Sequence, residues 1–126
     1  MSPDNQKILN SLSKALELID QVPSAKNAEP SKERDLMLWR CAAETEYLAF
    51  LIANIHGLED FEPGSEKGGV VSVDAARDLI EKARGLLELK PRLAYANVRQ
   101  AVSILRGMST DERRVRRAQA SQPENR

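Results

Sequence analysis

Between Pro30 and Gly57 the chain has no glycine or proline, and the helix such a run must form is apolar on every side. Projected at 100° per position, Leu36, Met37, Leu38, Trp39, Ala42, Tyr47, Leu48, Phe50, Leu51, Ile52 and Ile55 leave no purely polar sector. A helix apolar all round demands cover all round. At 1.5 Å per residue it is roughly 37 Å long, more than three amphipathic neighbours readily enclose. A second copy of the chain is the simplest source of the remaining cover. The residues assigned to that interface are Trp39, Tyr47, Leu48, Phe50, Leu51, Ile52 and Ile55.

The neighbours are legible from their punctuation. Ser2-Pro3-Asp4 reads as an N-cap, a first-turn proline and a dipole-favoured acid. Behind it Ile8, Leu9, Leu12, Leu16 and Ile19 form one apolar stripe that Pro23 stops. The long apolar helix opens at Ser31 and ends at Gly57, a natural residue just past a helix end. Ser72 caps a third helix with Ala76, Leu79, Ile80, Ala83, Leu86 and Leu87 on its inner face. Its outer face carries the i,i+4 pairs Arg77–Glu81, Asp78–Lys82 and Arg84–Glu88. Pro91 ends that helix and starts a fourth, whose stripe is Ala94, Val98, Ala101, Val102 and Leu105 and whose stop is Gly107. The short Leu89-Lys90-Pro91 join makes the last two an antiparallel hairpin. Ser109 and Glu112 then fit a capping box for a short fifth helix.

No stretch reads as a strand, and the aromatic content of 4% argues against a sheet protein. The expected fold is therefore all-α, an antiparallel bundle of four main helices at about 3–22, 31–57, 72–90 and 91–107, with room for the fifth. At 126 residues and 14.0 kDa this is one bundle domain (1–108) followed by a basic C-terminal helix or tail (109–126). The third and fourth helices have the look of a tetratricopeptide hairpin, but the phase fails. With Ala94 and Ala101 on that repeat's small-residue positions, Glu81 and Lys82 fall where it wants a leucine and a glycine, and no 34-residue period recurs.

Zero formal net charge hides a division. Met1–Lys90 holds 11 basic and 16 acidic residues, whereas Pro91–Arg126 holds 8 basic and 3 acidic. Cys41–Glu66 carries six acids and no Lys or Arg. Arg92, Arg99, Arg106 and Arg113 recur every seven residues and so form a line on a straight helix, until Gly107 interrupts it. Arg113, Arg114, Arg116 and Arg117 form a candidate anion site, since guanidinium suits phosphate and carboxylate. No aromatic lies among them to stack a base.

Catalytic and metal signals are weak. One cysteine, Cys41, and one histidine, His56, exclude a disulfide framework and any site needing two histidines from one chain. On one helix Cys41 and His56 lie about four turns apart, too far to act together. Arg40 and Glu44 should pair at i,i+4. Glu46 has no base at i±3 or i±4, so its partner is expected from another helix or another chain, with Arg77, Arg84 and Arg99 as candidates; as a lone acid it would otherwise be a base or ligand candidate. His56 is placed to cap the helix end. No phosphate-loop or nucleophile-elbow pattern occurs. No apolar run reaches the ~20 residues of a membrane span. MSPDNQK lacks the basic and apolar regions of a leader, so a cytoplasmic protein is expected. Taken together, these features suggest a non-enzymatic helical-bundle interaction protein, a homodimer through its second helix, with no cofactor or metal. The alternative is a nucleic-acid-associated accessory protein using the terminal arginines.

Overall fold

The computed structural model describes residues 3–22, 32–61 and 71–121; a few side chains near the C-terminus, Arg116 among them, lie outside the described residues. Four helices follow in order: α1 (Pro3–Asp20), α2 (Lys32–His56), α3 (Val73–Leu86) and α4 (Pro91–Ser121). Among the described residues there is no strand.

The helix ends form where their residue chemistry places them. Ser72 has extended backbone and its Oγ accepts from the Ala75 amide at 3.0 Å, capping α3. Gly57 takes φ +67, the left-handed conformation that glycine adopts without a Cβ clash. The Leu58 amide then reaches back to the Ala53 carbonyl at 2.8 Å, the six-to-one bond of a Schellman ending, and Leu58 is buried beneath it. Lys90 donates to Leu86 and accepts from Ala94, so the α3–α4 join is hydrogen-bonded on both sides of Pro91.

Packing makes a four-cornered bundle. α2 packs on α1 and α4, and α3 on α4 and α1, whereas α2 and α3 do not meet and neither do α1 and α4. Asp20, at the end of α1, bonds Arg77, near the start of α3, at 2.8 Å, so these two helices run antiparallel. Asp35, early in α2, meets Arg113, late in α4, which sets the same antiparallel sense there. Every described neighbour pair is thus antiparallel, and α2 and α3 stand on opposite corners. Ile8, Leu12 and Ile19 of α1, Leu38, Leu48 and Ile52 of α2, Ile80 of α3 and Val98 and Leu105 of α4 fill the core. The α1–α3 side is the thinnest and leaves a cleft of about 350 Å³ lined by Leu9, Gly85, Leu87 and Leu89, among others.

Two expectations are corrected. The stop at Gly107 and the separate fifth helix are not seen: α4 runs unbroken for 31 residues, through Gly107 and past the 108/109 division. A mid-helix glycine costs only about 1 kcal/mol, and the α2–α4 packing described below outweighs it. Within one chain α2 is only partly covered, as expected: among the described residues α1 and α4 pack on it and its outer corner stays open.

The two glycines test this account with opposite signs. A Cβ at Gly57 or at Gly107 would meet nothing within 4 Å, so backbone conformation alone decides the outcome. In urea denaturation Gly57→Ala should cost about 1–2 kcal/mol, whereas Gly107→Ala should stabilise by about 0.8 kcal/mol. A loss of stability in Gly107→Ala would contradict the continuous helix.

Candidate functional site

The faces of α2 divide sharply. Trp39 is 54% exposed, Tyr47 53% and Phe50 62%, and Leu36, at 53%, lies in the same row. Ala43 is exposed in the middle of it. These five residues recur at three- and four-residue spacing on the outer corner of the bundle, where charged residues are the norm. The other members of the expected interface lie elsewhere: Leu48 and Ile52 are fully buried and Leu51 nearly so, within the chain's own core. Ile55 is half-buried against that core. The reason is angular. Each step along a helix turns the side chain by 100°, so Leu48 beside Tyr47 and Leu51 beside Phe50 point inward. Leu36 was missed because an all-round apolar pattern gives no clue to which sector the neighbours leave open.

A polar seam beside this row locks α2 to α4. Glu46 bonds Arg106, not the expected Arg77, Arg84 or Arg99. Arg77 instead meets Asp20 and Glu81, and Arg84 meets Glu81, three residues back, rather than Glu88. Since α3 stands diagonally across from α2, neither of its arginines can reach Glu46. Farther along, Asp35 is buried, with 8% of its side chain exposed, and accepts from the Ser109 hydroxyl and from Arg113 Nε at 2.9 Å. A buried carboxylate is tolerable only with such charge-assisted donors. Ser109 therefore serves as an interhelical donor and not as the cap of a fifth helix. Arg40 and Glu44 form no ion pair with each other among the described residues.

Because α4 is unbroken, the arginine line continues along its outer face. Arg92 lies over the Phe61 ring, 5.4 Å from its centroid, and Phe61 packs edge-on against Tyr95, which ties the chain after α2 to the start of α4. Arg99 and Arg106 follow, and then Arg113, Arg114 and Arg117, all exposed. From Pro91 to Thr110 α4 contains no acid. Arg113 is anchored at Nε by Asp35, and about half of its side chain stays exposed. The Arg116 side chain lies outside the described residues. Between the apolar row and the arginines runs an open cleft of about 240 Å³, walled by Trp39, Ala42 and Ala43 of α2 and Arg106, Ser109, Thr110 and Arg113 of α4.

The remaining candidates are not brought together. Cys41 is fully buried, and burial pushes its thiol from the ordinary value of 9.0 up to about 11. A thiol held neutral is a poor nucleophile. Its carbonyl accepts from the Thr45 hydroxyl at 2.6 Å within the same helix. His56 sits half-buried at the end of α2, with a buried Nε2 that has no hydrogen-bond partner among the described residues. Among the described residues no three of His, Cys, Asp and Glu gather as metal ligands, and no helix is long and apolar enough to cross a membrane. What the structure presents is a surface: an apolar row and a basic row on adjacent helices.

Two measurements check this description. Arg113→Met removes a donor from buried Asp35 and should cost about 1–3 kcal/mol, part of which Asp35→Asn should restore in the double variant. Cys41 should react with a thiol reagent at pH 8 only when the protein is unfolded. Because the folded pKa lies above the unfolded one, ionisation of Cys41 lowers stability as pH rises from 9.0 towards about 11, and Cys41→Ala should flatten that decline.

No known protein family, curated protein or solved structure matches the chain.

Proposed function

We propose that this protein is a non-enzymatic helical-bundle interaction module that self-associates as a homodimer through the outer face of α2. The observation that carries the reading is the row Leu36, Trp39, Tyr47 and Phe50, each more than half exposed on one corner of an otherwise well-filled bundle. Aromatic residues held on a rigid helix are the usual anchors of protein interfaces, since they offer large area at small entropic cost. Light scattering on a sizing column should return twice the 14.0 kDa chain mass, and the dimer should persist in ~1 M salt because apolar burial holds it. Trp39→Asp with Phe50→Asp should give a monomer of unchanged helical content. A wild-type monomer at micromolar concentration would overturn the reading.

A second reading rests on α4, which has no acid from Pro91 to Thr110 and exposes Arg92, Arg99, Arg106, Arg113, Arg114 and Arg117 in sequence. Such a face suits a phosphate backbone, read without base specificity. Binding to a fluorescent oligonucleotide at about 50 mM salt that weakens steeply with salt, and more gently after Arg114→Ala with Arg117→Ala, would support it.

A further inference from the structure

The apolar row on α2 is evenly spaced about one small residue. Ala43 stands at its centre; Leu36 and Phe50 lie seven residues before and after it, and Trp39 and Tyr47 four before and four after. A small residue is flanked at equal distances by large ones, and all five are exposed. A row with this mirror order can pair with an antiparallel copy of itself, large side chain against large, in a self-complementary two-fold interface.

We infer that two copies pair α2 against α2 in antiparallel fashion, with the two-fold axis passing through Ala43. This inference rests on the homodimer reading above and specifies its geometry. Ala43 faces Ala43 of the copy, and its small side chain lets the two backbones approach at the crossing. Leu36 faces Phe50 of the copy. Projected at 100° per residue, Arg40, Tyr47 and Glu44 share one flank of α2, and an antiparallel two-fold brings like flanks together. Arg40, exposed and without an ion pair among the described residues, is thereby laid against the Tyr47 ring and beside Glu44 of the copy. On the other flank Trp39 packs beside Phe50 of the copy. The helix dipoles run head to tail, as they do in the neighbouring pairs already present in the bundle.

The area matches a modest dimer. Three aromatic side chains and a leucine, each slightly more than half exposed, offer roughly 400 Å² per copy. Pairing buries about twice that, and the flanking Arg40, Ala43 and Glu44 bring the total towards the ~1,200 Å² where specific interfaces begin.

Engineered cysteines in the full chain test the register, with wild type as the control because Cys41 is buried. Ala43→Cys should form a linked dimer under mild oxidation, since the two α-carbons approach within about 7 Å. Leu36→Cys alone should not link, whereas an equimolar mixture of Leu36→Cys and Phe50→Cys should link at least ~10-fold more than either variant by itself. Light scattering on each unoxidised variant establishes that it still dimerises. If wild type is a dimer but Leu36→Cys links to itself, the helices pair in parallel; this register fails and self-association stands. If wild type is a dimer and Ala43→Cys links no better than Ser13→Cys, on an exposed position of α1, the α2 face is not the contact and the inference fails. A wild-type monomer would remove both readings.

Discussion

Asp35 lies in the first turn of α2, where the helix dipole favours an anion, yet its side chain is almost wholly removed from water. An ionised carboxylate in that position needs donors, and both of those described come from the far end of the sequence: the Ser109 hydroxyl and the Arg113 guanidinium. To deliver them on one face, α4 must be helical from Ser109 to Arg113, because only helical spacing stacks residues four apart, and Arg106, held by Glu46, anchors the turn before Gly107. The glycine is thus carried inside a helix by contacts on either side of it. Contacts from α2 to Arg106, Ser109 and Arg113 accompany a helix that runs through Gly107 and an unbroken arginine face.

The same seam sets how α2 is rolled. Asp35 and Glu46 lie on one flank of α2 and are both held by α4, the second through Arg106. With two anchors eleven residues apart, α2 has no freedom to rotate about its axis. At 100° per residue, the sector carrying Leu36, Trp39, Ala43, Tyr47 and Phe50 is then turned outward, and the one carrying Leu38, Leu48 and Ile52 inward. Hydrophobicity alone would not choose between them, since both sectors are apolar. Polar contacts decide which apolar residues form the core and which are presented.

This explains what could and could not be read from the sequence. Helix class, the Ser72 cap, the Gly57 ending and the Pro91 restart follow from short-range chemistry and were legible. The apolar stripes of α1, α3 and α4 were legible too, because each has a single apolar side. The inner and outer faces of α2 were not separable, since a helix with apolar residues in every sector carries no orientation in its pattern. The end of α4 was misread for a related reason. Ser109 and Glu112 fit a local capping box, and nothing within five residues reveals that Asp35 claims the same hydroxyl. The partner of Glu46 depended on which helices stand on adjacent corners, which is a property of topology and not of spacing.

The bundle's corner arrangement gives the apolar row its meaning. Each helix of a four-cornered bundle presents its outer sector to solvent, and α1, α3 and α4 fill theirs largely with charged and polar side chains, as a soluble surface requires. On α2 that sector keeps only Glu33, Arg40 and Asn54 among its exposed polar residues beyond the first. Leu36, Trp39, Tyr47 and Phe50 are each more than half exposed and none is a buried core position, so folding places little demand for apolar side chains there. Aromatics exposed on a rigid helix, at spacing that keeps them in one row, are instead what a binding surface requires. The row's equal spacing about Ala43 would let its large side chains meet one another across an antiparallel two-fold, which is why a second copy is the occupant proposed above.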